Sequence, residues 1–288
     1  MKIALLGSTG MLGSRVAEAF RARNHEVLAP SHEELDLLFP LSIEKFFKTN
    51  GFDVLVNCAA FTRVDACEEP SKFAVAQTLN GTAVGWMAKY CQALGRILVH
   101  FSTDYVFDGK KEDPYVETDA TGPLNVYGRT KLQGEKLAAG APSHYLVRTS
   151  WVYGPRGDHF VKRMAALFKE RTRVEVVRDQ VGSPTYTGDI AQFILDLLER
   201  KAPFGTYHFA NSGKASWFDF AKEIKVRLGN PPCELVPVKS DKVFRPAERP
   251  MNSCFDLSKA QSVLGVPIRP WQEALAEYMT KEFPLEAV

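Results

Sequence analysis

Short apolar runs alternate with amphipathic stretches through the first half of the chain. Strands are predicted at residues 3–6, 26–29, 54–57, 97–101 and 145–149. Helices are predicted between them, at residues 11–23, 42–50, 73–94 and 124–139. The strand at 54–57 is almost entirely apolar, which is typical of a parallel strand covered on both faces. This alternation predicts an α/β fold built on a doubly wound parallel sheet.

The second half of the chain is less regular. Amphipathic helices are predicted at residues 160–170, 189–200, 217–228 and 270–281, and a strand at 205–210. The segment 231–250 contains five prolines and is predicted to be mostly loop. We expect residues 1–153 to form the sheet domain, with the chain returning to it at about 187–212. The rest of 154–288 is then a smaller domain that covers the carboxyl ends of the strands.

Composition places the chain among ordinary globular proteins. Of its 288 residues 45% are apolar and 24% charged, and the net charge is +2, so neither a nucleic acid nor a membrane is an expected partner. The N-terminal apolar run is too short for a signal peptide, and no run approaches the roughly 20 residues of a membrane span. The five cysteines include no Cys-x-x-Cys pair, which favours reduced thiols and a cytoplasmic location.

Tyr127 and Lys131 form the most informative pair in the sequence. Their Tyr-x-x-x-Lys spacing puts both side chains on one face of the helix predicted at 124–139. A phenol has an ordinary pKa of about 10, and a cation beside it is expected to lower that pKa toward neutrality. Tyr127 is therefore the candidate acid or base for a carbonyl or an alcohol.

A glycine-rich turn follows the first predicted strand and opens the first predicted helix. Its residues in the Gly-x-x-Gly-x-x-Gly pattern include Gly7, Thr9, Gly10, Met11, Leu12 and Gly13. Glycines let the backbone turn sharply and approach a pyrophosphate at the positive helix N-terminus. The turn predicts dinucleotide binding by a Rossmann-like domain. After the third strand, Cys58, Ala59 and Ala60 are expected to pass beneath the pyrophosphate and ribose.

The choice between NADPH and NADH depends on the end of the second strand. A fold that binds NAD usually has an acid there, about 20 residues after the glycines, to hold the ribose diol. The sequence at residues 29–32 contains no acid, so Ser31 or Arg15 is available to a 2′-phosphate. NADPH is therefore the predicted cofactor, with NADH also tolerated. Asp36 and Leu37 are expected to approach the adenine.

A turn with two hydroxyl groups, beginning Ser102-Thr103-Asp104-Tyr105, follows the fourth predicted strand. Ligands bind at the carboxyl ends of strands in such sheets, and a hydroxyl there can orient a substrate carbonyl toward Tyr127. Beside a nicotinamide, this arrangement predicts hydride transfer to or from a carbonyl carbon, coupled to proton transfer by the tyrosine. The six histidines show no paired spacing with acids or cysteines, so no metal is predicted.

Six motifs, taken together, resemble those of the dTDP-4-dehydrorhamnose reductase family, in the extended short-chain dehydrogenase/reductase superfamily. They lie at residues 56–68, 102–109, 127–135, 148–154, 179–185 and 249–253, and the resemblance runs from residue 1 to about 278. It implies a nucleotide-sugar substrate and reduction of the 4-keto group of dTDP-4-dehydro-L-rhamnose to give dTDP-L-rhamnose. The domain at 1–153 then binds NAD(P), and the domain at 154–288 binds the substrate.

The resemblance also implies roles for single residues. Tyr127 would protonate the nascent C4 oxygen, and Lys131 would lower the tyrosine pKa and hold the nicotinamide ribose; the catalytic trio is Thr103, Tyr127 and Lys131. The residues implied to line the sugar pocket are Thr62, Val64, Asp104, Tyr105 and Trp151. Gln180 and Arg249 fall on the nucleotide side, where a guanidinium matches the oxygens of a diphosphate.

Three points stay open at this stage. Some family members bind Mg²⁺ at a dimer interface through an acid two residues after the third glycine, where this chain has Arg15. A metal-linked dimer is therefore not expected, and the choice between monomer and homodimer is open. Alternative functions are a reductase or epimerase of another nucleotide sugar, and a non-catalytic regulatory protein of the same fold. The catalytic trio argues against a pure binding protein, and tightly held NAD would indicate an epimerase.

Overall fold

The computed structural model describes residues 1–284. Its strands are β1 (Lys2–Leu6), β2 (Glu26–Leu28), β3 (Val54–Asn57), β4 (Ile97–Thr103), β5 (His144–Thr149), β6 (Val152–Tyr153), β7 (Arg173–Val177), β8 (Val181–Gly182), β9 (Thr185–Tyr186), β10 (Gly205–His208), β11 (Ala215–Ser216) and β12 (Glu234–Val238). Its α-helices are α1 (Met11–Ala22), α2 (Pro40–Thr49), α3 (Pro70–Gln77), α4 (Ala83–Ala93), α5 (Val126–Ala138), α6 (Phe160–Glu170), α7 (Thr187–Glu199), α8 (Trp217–Arg227), α9 (Ser258–Leu264) and α10 (Trp271–Glu282).

Six strands form the central sheet, in the order β10-β5-β4-β3-β1-β2. All of its pairs are parallel, and Leu6, Asn57 and His100 lie side by side across three of its strands. The chain moves outward from β1 to β2 and then crosses to the other side for β3. Ligands bind in the crevice at such a switch point, outside the carboxyl ends of the strands. The predicted α/β fold with a doubly wound parallel sheet is confirmed.

Apolar residues on both faces of the sheet explain why it is buried between two helix layers. Along β1, Ile3 and Leu5 contribute to one core, which α1 and α7 cover, while Ala4 and Leu6 contribute to the other, which α2 and α4 cover. Alternate residues of a strand point to opposite faces. A strand packed on both sides is therefore apolar along most of its length, as β3 is up to Asn57 at its end.

A separate hydrophobic core joins α6, α8 and α10. It is rich in aromatic side chains, among them Tyr153, Tyr186, Phe220 and Tyr278, which pack with ring centroids 5.3 to 5.9 Å apart. The parallel pair β7–β12 borders this core, so the segment predicted as loop at 231–250 contains a strand. We base the proposed division of the chain near residue 153 on this second core.

The helix predicted at 73–94 is interrupted. Between α3 and α4 the backbone forms a π-helical segment, Thr78–Thr82. The Asn80 amide inside it pairs with both backbone groups of Phe61, at 2.8 and 3.0 Å, and with the Thr130 hydroxyl at 3.1 Å. The wider turn thus directs a buried side chain toward the loop after β3, which is a common use of π segments at functional sites.

A buried ion pair fixes α5 against the sheet. The Glu135 carboxylate accepts two hydrogen bonds from the Arg148 guanidinium of β5, at 2.9 and 2.8 Å. The two side chains are only 5% and 7% exposed. Arg148 also donates to the Glu117 carbonyl at 3.2 Å and lies over the Phe107 ring.

No helix among residues 1–284 has the length and apolar character needed to cross a bilayer.

Replacing Glu135 by Gln should strongly destabilise the protein, because it leaves the Arg148 charge buried without its counter-ion. Breaking one half of a buried pair typically costs about 3–5 kcal/mol. The free energy of unfolding in urea measures the loss. Glu44→Gln is the matched control, since it removes a carboxylate from an exposed i,i+4 pair with Lys48. Equal effects of the two changes would contradict this account of the buried pair.

Candidate active site

The helix α5 lies unusually close to its neighbours, and two glycines permit this. A Cβ atom at Gly128 would collide with the Tyr105 carbonyl oxygen, and one at Gly134 with that of Asn80. The Asn125 side chain caps the helix by accepting a hydrogen bond from the Gly128 N–H at 2.8 Å. The cap and the close packing together place the first turns of α5 over the carboxyl end of β4.

Lys131 is buried beneath this helix, at 3% exposure. Its ammonium donates to the Phe101 carbonyl at 2.6 Å, and its Nζ lies 3.5 Å from His100 Nε2. Burial lowers the pKa of Lys131 to about 8, although the Glu135 and Cys58 charges oppose the shift. Strand β4 therefore holds the ammonium in place through the Phe101 carbonyl.

A short polar chain continues behind Lys131. The Asn57 Oδ1 accepts the Ala59 N–H at 3.1 Å, so its Nδ2 donates to His100 Nδ1 at 3.2 Å. Burial, with the Lys131 charge, holds the pKa of His100 well below its ordinary value, so the ring is neutral and carries its proton on Nε2. These bonds fix the segment from Asn57 to Ala60, which the sequence places beneath a cofactor.

Tyr127 is half-buried on the same face of α5, with its ring 5.9 Å from that of Tyr105 in an edge-on arrangement. Burial and then the Asp104 charge raise the pKa of Tyr127, and the Thr103 hydroxyl opposes them. The expectation that Lys131 lowers this pKa is therefore wrong for this structure, because the ammonium is bound to the Phe101 carbonyl. The raised pKa keeps the phenol protonated at neutral pH.

Thr103 and Asp104 lie directly under Tyr127. Strand β4 runs to Thr103, so the first hydroxyls belong to the strand and not to a turn after it. The Thr103 hydroxyl donates to Asp104 Oδ1 at 2.9 Å and accepts the Tyr105 N–H at 3.2 Å. Asp104 is 3% exposed, and its Oδ2 has no hydrogen-bond partner among the described residues. This oxygen is therefore a buried acceptor beside the cavity that Asp104 helps to line.

The glycine turn between β1 and α1 has the shape of a phosphate cradle. Gly7 has a φ of +70°, and Gly10 is the N-cap of α1. A Cβ atom at Gly13 would collide with the Gly7 carbonyl, so α1 can start here only if that position is glycine. Bare backbone at a helix N-terminus suits the pyrophosphate of a dinucleotide, and the residues present fit that group.

One cavity of about 730 Å³ joins the glycine turn to Tyr127 and to the second core. Fifteen of the predicted site residues line it: Gly10, Met11, Leu12, Cys58, Ala59, Ala60, Thr62, Val64, Thr103, Asp104, Tyr105, Tyr127, Lys131, Trp151 and Arg249. Cofactor residues, the trio and the sugar-pocket residues are thus brought together in one space. A cavity of this size accommodates a small-molecule ligand of the usual dimensions.

Other predicted residues lie outside this lining, including Gly7, Thr9 and Gly13 of the turn. Gln180 is buried with its Oε1 unpaired, and its nucleotide contact stays a prediction. The Leu37 side chain packs in the core, so only its backbone is available to an adenine. The Asp36 carboxylate accepts the Leu38 N–H at 2.9 Å, and Ser31 opens an exposed turn.

Trp151 has an unusual backbone and a covered ring. Its φ is +47°, which is rare for a bulky residue. The indole stacks on Trp217 with centroids 3.5 Å apart and an angle of 4°, and Gly182 leaves room for its edge. Trp151 lines the cavity, but the flat face that was expected to meet the sugar is in part occupied by the second tryptophan.

Several cavity residues were not among the predicted site residues. They are Asp65, Ser102, Phe160, Arg163, Glu175, Trp217, Val243 and Arg245. Trp217 and Phe160 lie on helices that were predicted, but their periodicity alone assigns them to a core. Arg245 lies in the proline-rich segment, and Arg249 is already bound to Asp65 through two hydrogen bonds, at 2.6 and 2.7 Å.

Arg15 stands where some family members have an acid that binds Mg²⁺, and here it contacts protein side chains. Arg15 donates to Glu18 at 2.5 Å and to the Tyr186 hydroxyl at 3.1 Å. Among residues 1–284 no group of three or more histidines, cysteines or acids is placed to hold a metal ion. The absence of a metal and the oligomeric state stay predictions.

Comparison with known proteins identifies the family. The family model described as the RmlD substrate binding domain matches residues 1–283. The chain belongs to this family. It is 40% identical to the dTDP-4-dehydrorhamnose reductase of Mycolicibacterium smegmatis over 280 residues, which cover 96% of this chain and 84% of that protein. The family predicted from the six sequence motifs is thereby confirmed.

Two further RmlD-family relatives bear on the chemistry. A dTDP-4-keto-6-deoxy-D-glucose reductase of Streptomyces niveus is 36% identical, covering 97% of this chain and 95% of that one. The crystal structure of the dTDP-4-dehydrorhamnose reductase of Bacillus anthracis in complex with NADP has a TM-score of 0.91 and 32% identity, over 97% of this chain and 99% of that one. The likeness therefore spans both cores and the cavity between them.

The buried Asp104 should make stability depend on pH. Burial raises its pKa to about 6 against the opposing influence of the Ser253 and Thr103 hydroxyls, so the folded state holds a proton that the unfolded state releases near pH 3.8. The stability that this proton provides is complete below about pH 4 and lost as the pH rises through 6, a change of roughly 3 kcal/mol.

Asp104→Asn keeps the acceptor for Thr103 but removes the titration. Urea unfolding of both proteins between pH 4 and 7 should show the variant gaining on the wild type as the pH rises. The difference between the two isolates Asp104 from other carboxylates such as Asp65, whose pKa is lowered by Arg249. Parallel pH profiles would show that Asp104 is ionised throughout.

Proposed function

We propose that this protein is a dTDP-4-dehydrorhamnose reductase that uses NADPH to reduce the C4 ketone of dTDP-4-dehydro-L-rhamnose to dTDP-L-rhamnose. The observation that carries the proposal is the single cavity in which Thr103, Tyr127 and Lys131 face the glycine turn. Relatives at 36–40% identity that reduce 4-keto nucleotide sugars support it. The bound NADP of a relative at 32% identity supports the choice of cofactor.

The residues would divide the reaction between them. NADPH, when bound, supplies the hydride that forms the new C–H bond at C4. Tyr127, held protonated by its burial, transfers its phenolic proton to the C4 oxygen as the carbonyl π bond breaks. The Thr103 hydroxyl orients that oxygen toward the phenol and, as the group that opposes the rise in the Tyr127 pKa, stabilises the phenolate left behind. Lys131 would hold the nicotinamide ribose. The products are a secondary alcohol and the oxidised cofactor.

The substrate side of the cavity agrees with a sugar ligand. Asp104, Thr62 and Tyr105 bring polar side chains to the cavity wall, where they can form hydrogen bonds with ring hydroxyls. The Streptomyces niveus relative favours a second candidate, reduction of another 4-keto-6-deoxy sugar on the same nucleotide. A nucleotide-sugar epimerase of the same fold would retain its cofactor through purification, whereas a reductase exchanges it.

Tyr127→Phe should lower kcat by about 10²–10⁴-fold, because it removes the proton donor and leaves the ring in place. The loss of NADPH absorbance with dTDP-4-dehydro-L-rhamnose, generated by the upstream enzymes, measures this. NADPH binding, followed by fluorescence titration, should be unchanged. Turnover equal to the wild type would remove Tyr127 from the chemistry, and oxidation by neither protein would indicate another substrate.

Glu34 should weaken the preference for NADPH. It lies three residues after Ser31, and its carboxylate accepts the Ser31 N–H at 2.7 Å, which puts a negative charge at the expected position of the 2′-phosphate. Glu34→Gln should lower KM for NADPH by up to about fivefold, as for an exposed charge interaction of roughly 1 kcal/mol.

KM for NADH should change little in the same variant, since NADH has no 2′-phosphate. Glu33→Gln is the matched control, because Glu33 is an exposed acid of the same turn. An equal effect of Glu33→Gln on NADPH would show a general charge effect, and no effect of Glu34→Gln would place the 2′-phosphate elsewhere.

A further inference from the structure

Three arginines line the cavity, and two of them have an acidic partner. Arg249 is bound by both oxygens of Asp65, at 2.6 and 2.7 Å, and Arg163 by Asp158, at 2.9 Å. Arg245 also lines the cavity, and it has no hydrogen bond or ion pair with any residue of the described chain. One of these guanidinium groups thus faces the cavity without a counter-ion.

The remaining acid of this wall does not compensate Arg245. Glu175 is bound to Arg173 at 3.2 Å, on the outer edge of β7. Arg245 as a whole is exposed at the edge of the cavity. Partial burial of its guanidinium and the charges of Arg249 and Arg163 lower its pKa, while Asp65 and Tyr105 oppose this. Arginines close enough to perturb one another, with too few carboxylates, form a site that attracts an anion.

The position of Arg245 relative to the catalytic tyrosine suggests which anion binds. Arg245, Tyr105 and Tyr127 line the same cavity, and the Tyr105 ring lies 5.9 Å from that of Tyr127. In a nucleotide sugar the diphosphate is attached at C1, across the pyranose ring from C4. A C4 ketone at Tyr127 directs the diphosphate toward this end of the cavity.

We propose that Arg245, and not Arg249, is the side chain that binds the substrate diphosphate, and that Arg249 is a positioning residue. This rests on the proposed function, since it takes the substrate to be a nucleotide sugar. Arg249 holds the loop instead. The Asp65 carboxylate accepts a hydrogen bond from each Nη atom of Arg249 and another from the Ala247 N–H at 3.2 Å. Asp65 and the Ala247 carbonyl take three of the five N–H donors of Arg249, and its Nε is buried, so one N–H of Nη2 is the remaining donor.

The loop geometry is consistent with this division. Val243 and Arg245 line the cavity, while Phe244 between them is 94% exposed. The Asp179 carboxylate fixes the start of the loop by accepting the Ser240 N–H at 2.9 Å. The chain is therefore anchored on both sides of Arg245.

The test is binding of dTDP and of thymidine to the full chain by calorimetry. Arg245→Gln should weaken dTDP binding by at least about tenfold, as for a lost charged hydrogen bond, with thymidine and NADPH binding unchanged. In the reductase assay KM for the sugar nucleotide should rise by a similar factor with kcat nearly constant, the pattern of lost ground-state binding. Lys242→Gln, an exposed cation of the same loop, is the control and should change neither.

A second variant distinguishes the two arginines. Asp65→Asn releases Arg249, so dTDP binding should weaken if Arg249 only braces the loop. Tighter binding by Asp65→Asn, or unchanged binding by Arg245→Gln, would overturn the assignment, and weaker NADPH binding by Arg245→Gln would make it a cofactor residue. A wild type that binds UDP but not dTDP, with the same loss in Arg245→Gln, supports Arg245 and revises the proposed substrate. Failure to bind either nucleotide would overturn both proposals.

Discussion

The burial of the Lys131 ammonium is the constraint on which the rest of the site depends. A cation at 3% exposure is tolerated only where polar groups replace its water. The Phe101 carbonyl does this at 2.6 Å, which ties α5 to one point on β4. Gly128 and Gly134 are needed because the helix must lie that close. Tyr127, one turn before Lys131, is then held over Thr103 at the end of the same strand.

This arrangement places opposing demands on stability and chemistry. Asp104 and Tyr127 are buried next to each other, and burial raises the pKa of both. A protonated phenol suits proton donation to a developing alkoxide, but an ionised Asp104 at neutral pH costs folding energy. The Glu135–Arg148 pair stabilises the same helix from the other side. The ionised Asp104 therefore destabilises the fold at neutral pH, while the Glu135–Arg148 pair stabilises the helix that carries Tyr127.

Local patterns predicted the sheet, the glycine turn and the trio, because each depends on residues close in sequence. They could not predict the π segment, since Asn80 takes its place from contacts with Phe61, nineteen residues away. Nor could they show that Lys131 would bind the Phe101 carbonyl and leave the Tyr127 pKa to rise. In each case a contact distant in sequence outweighed the local rule on which the expectation was based.

The two arginines of the proline-rich loop illustrate the same limit at the level of function. From sequence, Arg249 is the better candidate for a diphosphate, because it falls in a family motif and Arg245 does not. The ion pair with Asp65, 184 residues earlier, reverses that ranking by occupying both terminal nitrogens of Arg249. A loop anchored at Asp65 and Asp179 can then present Arg245 to the cavity, with no partner for its guanidinium among residues 1–284. An arginine in a motif can thus serve ligand binding by fixing the backbone that carries another.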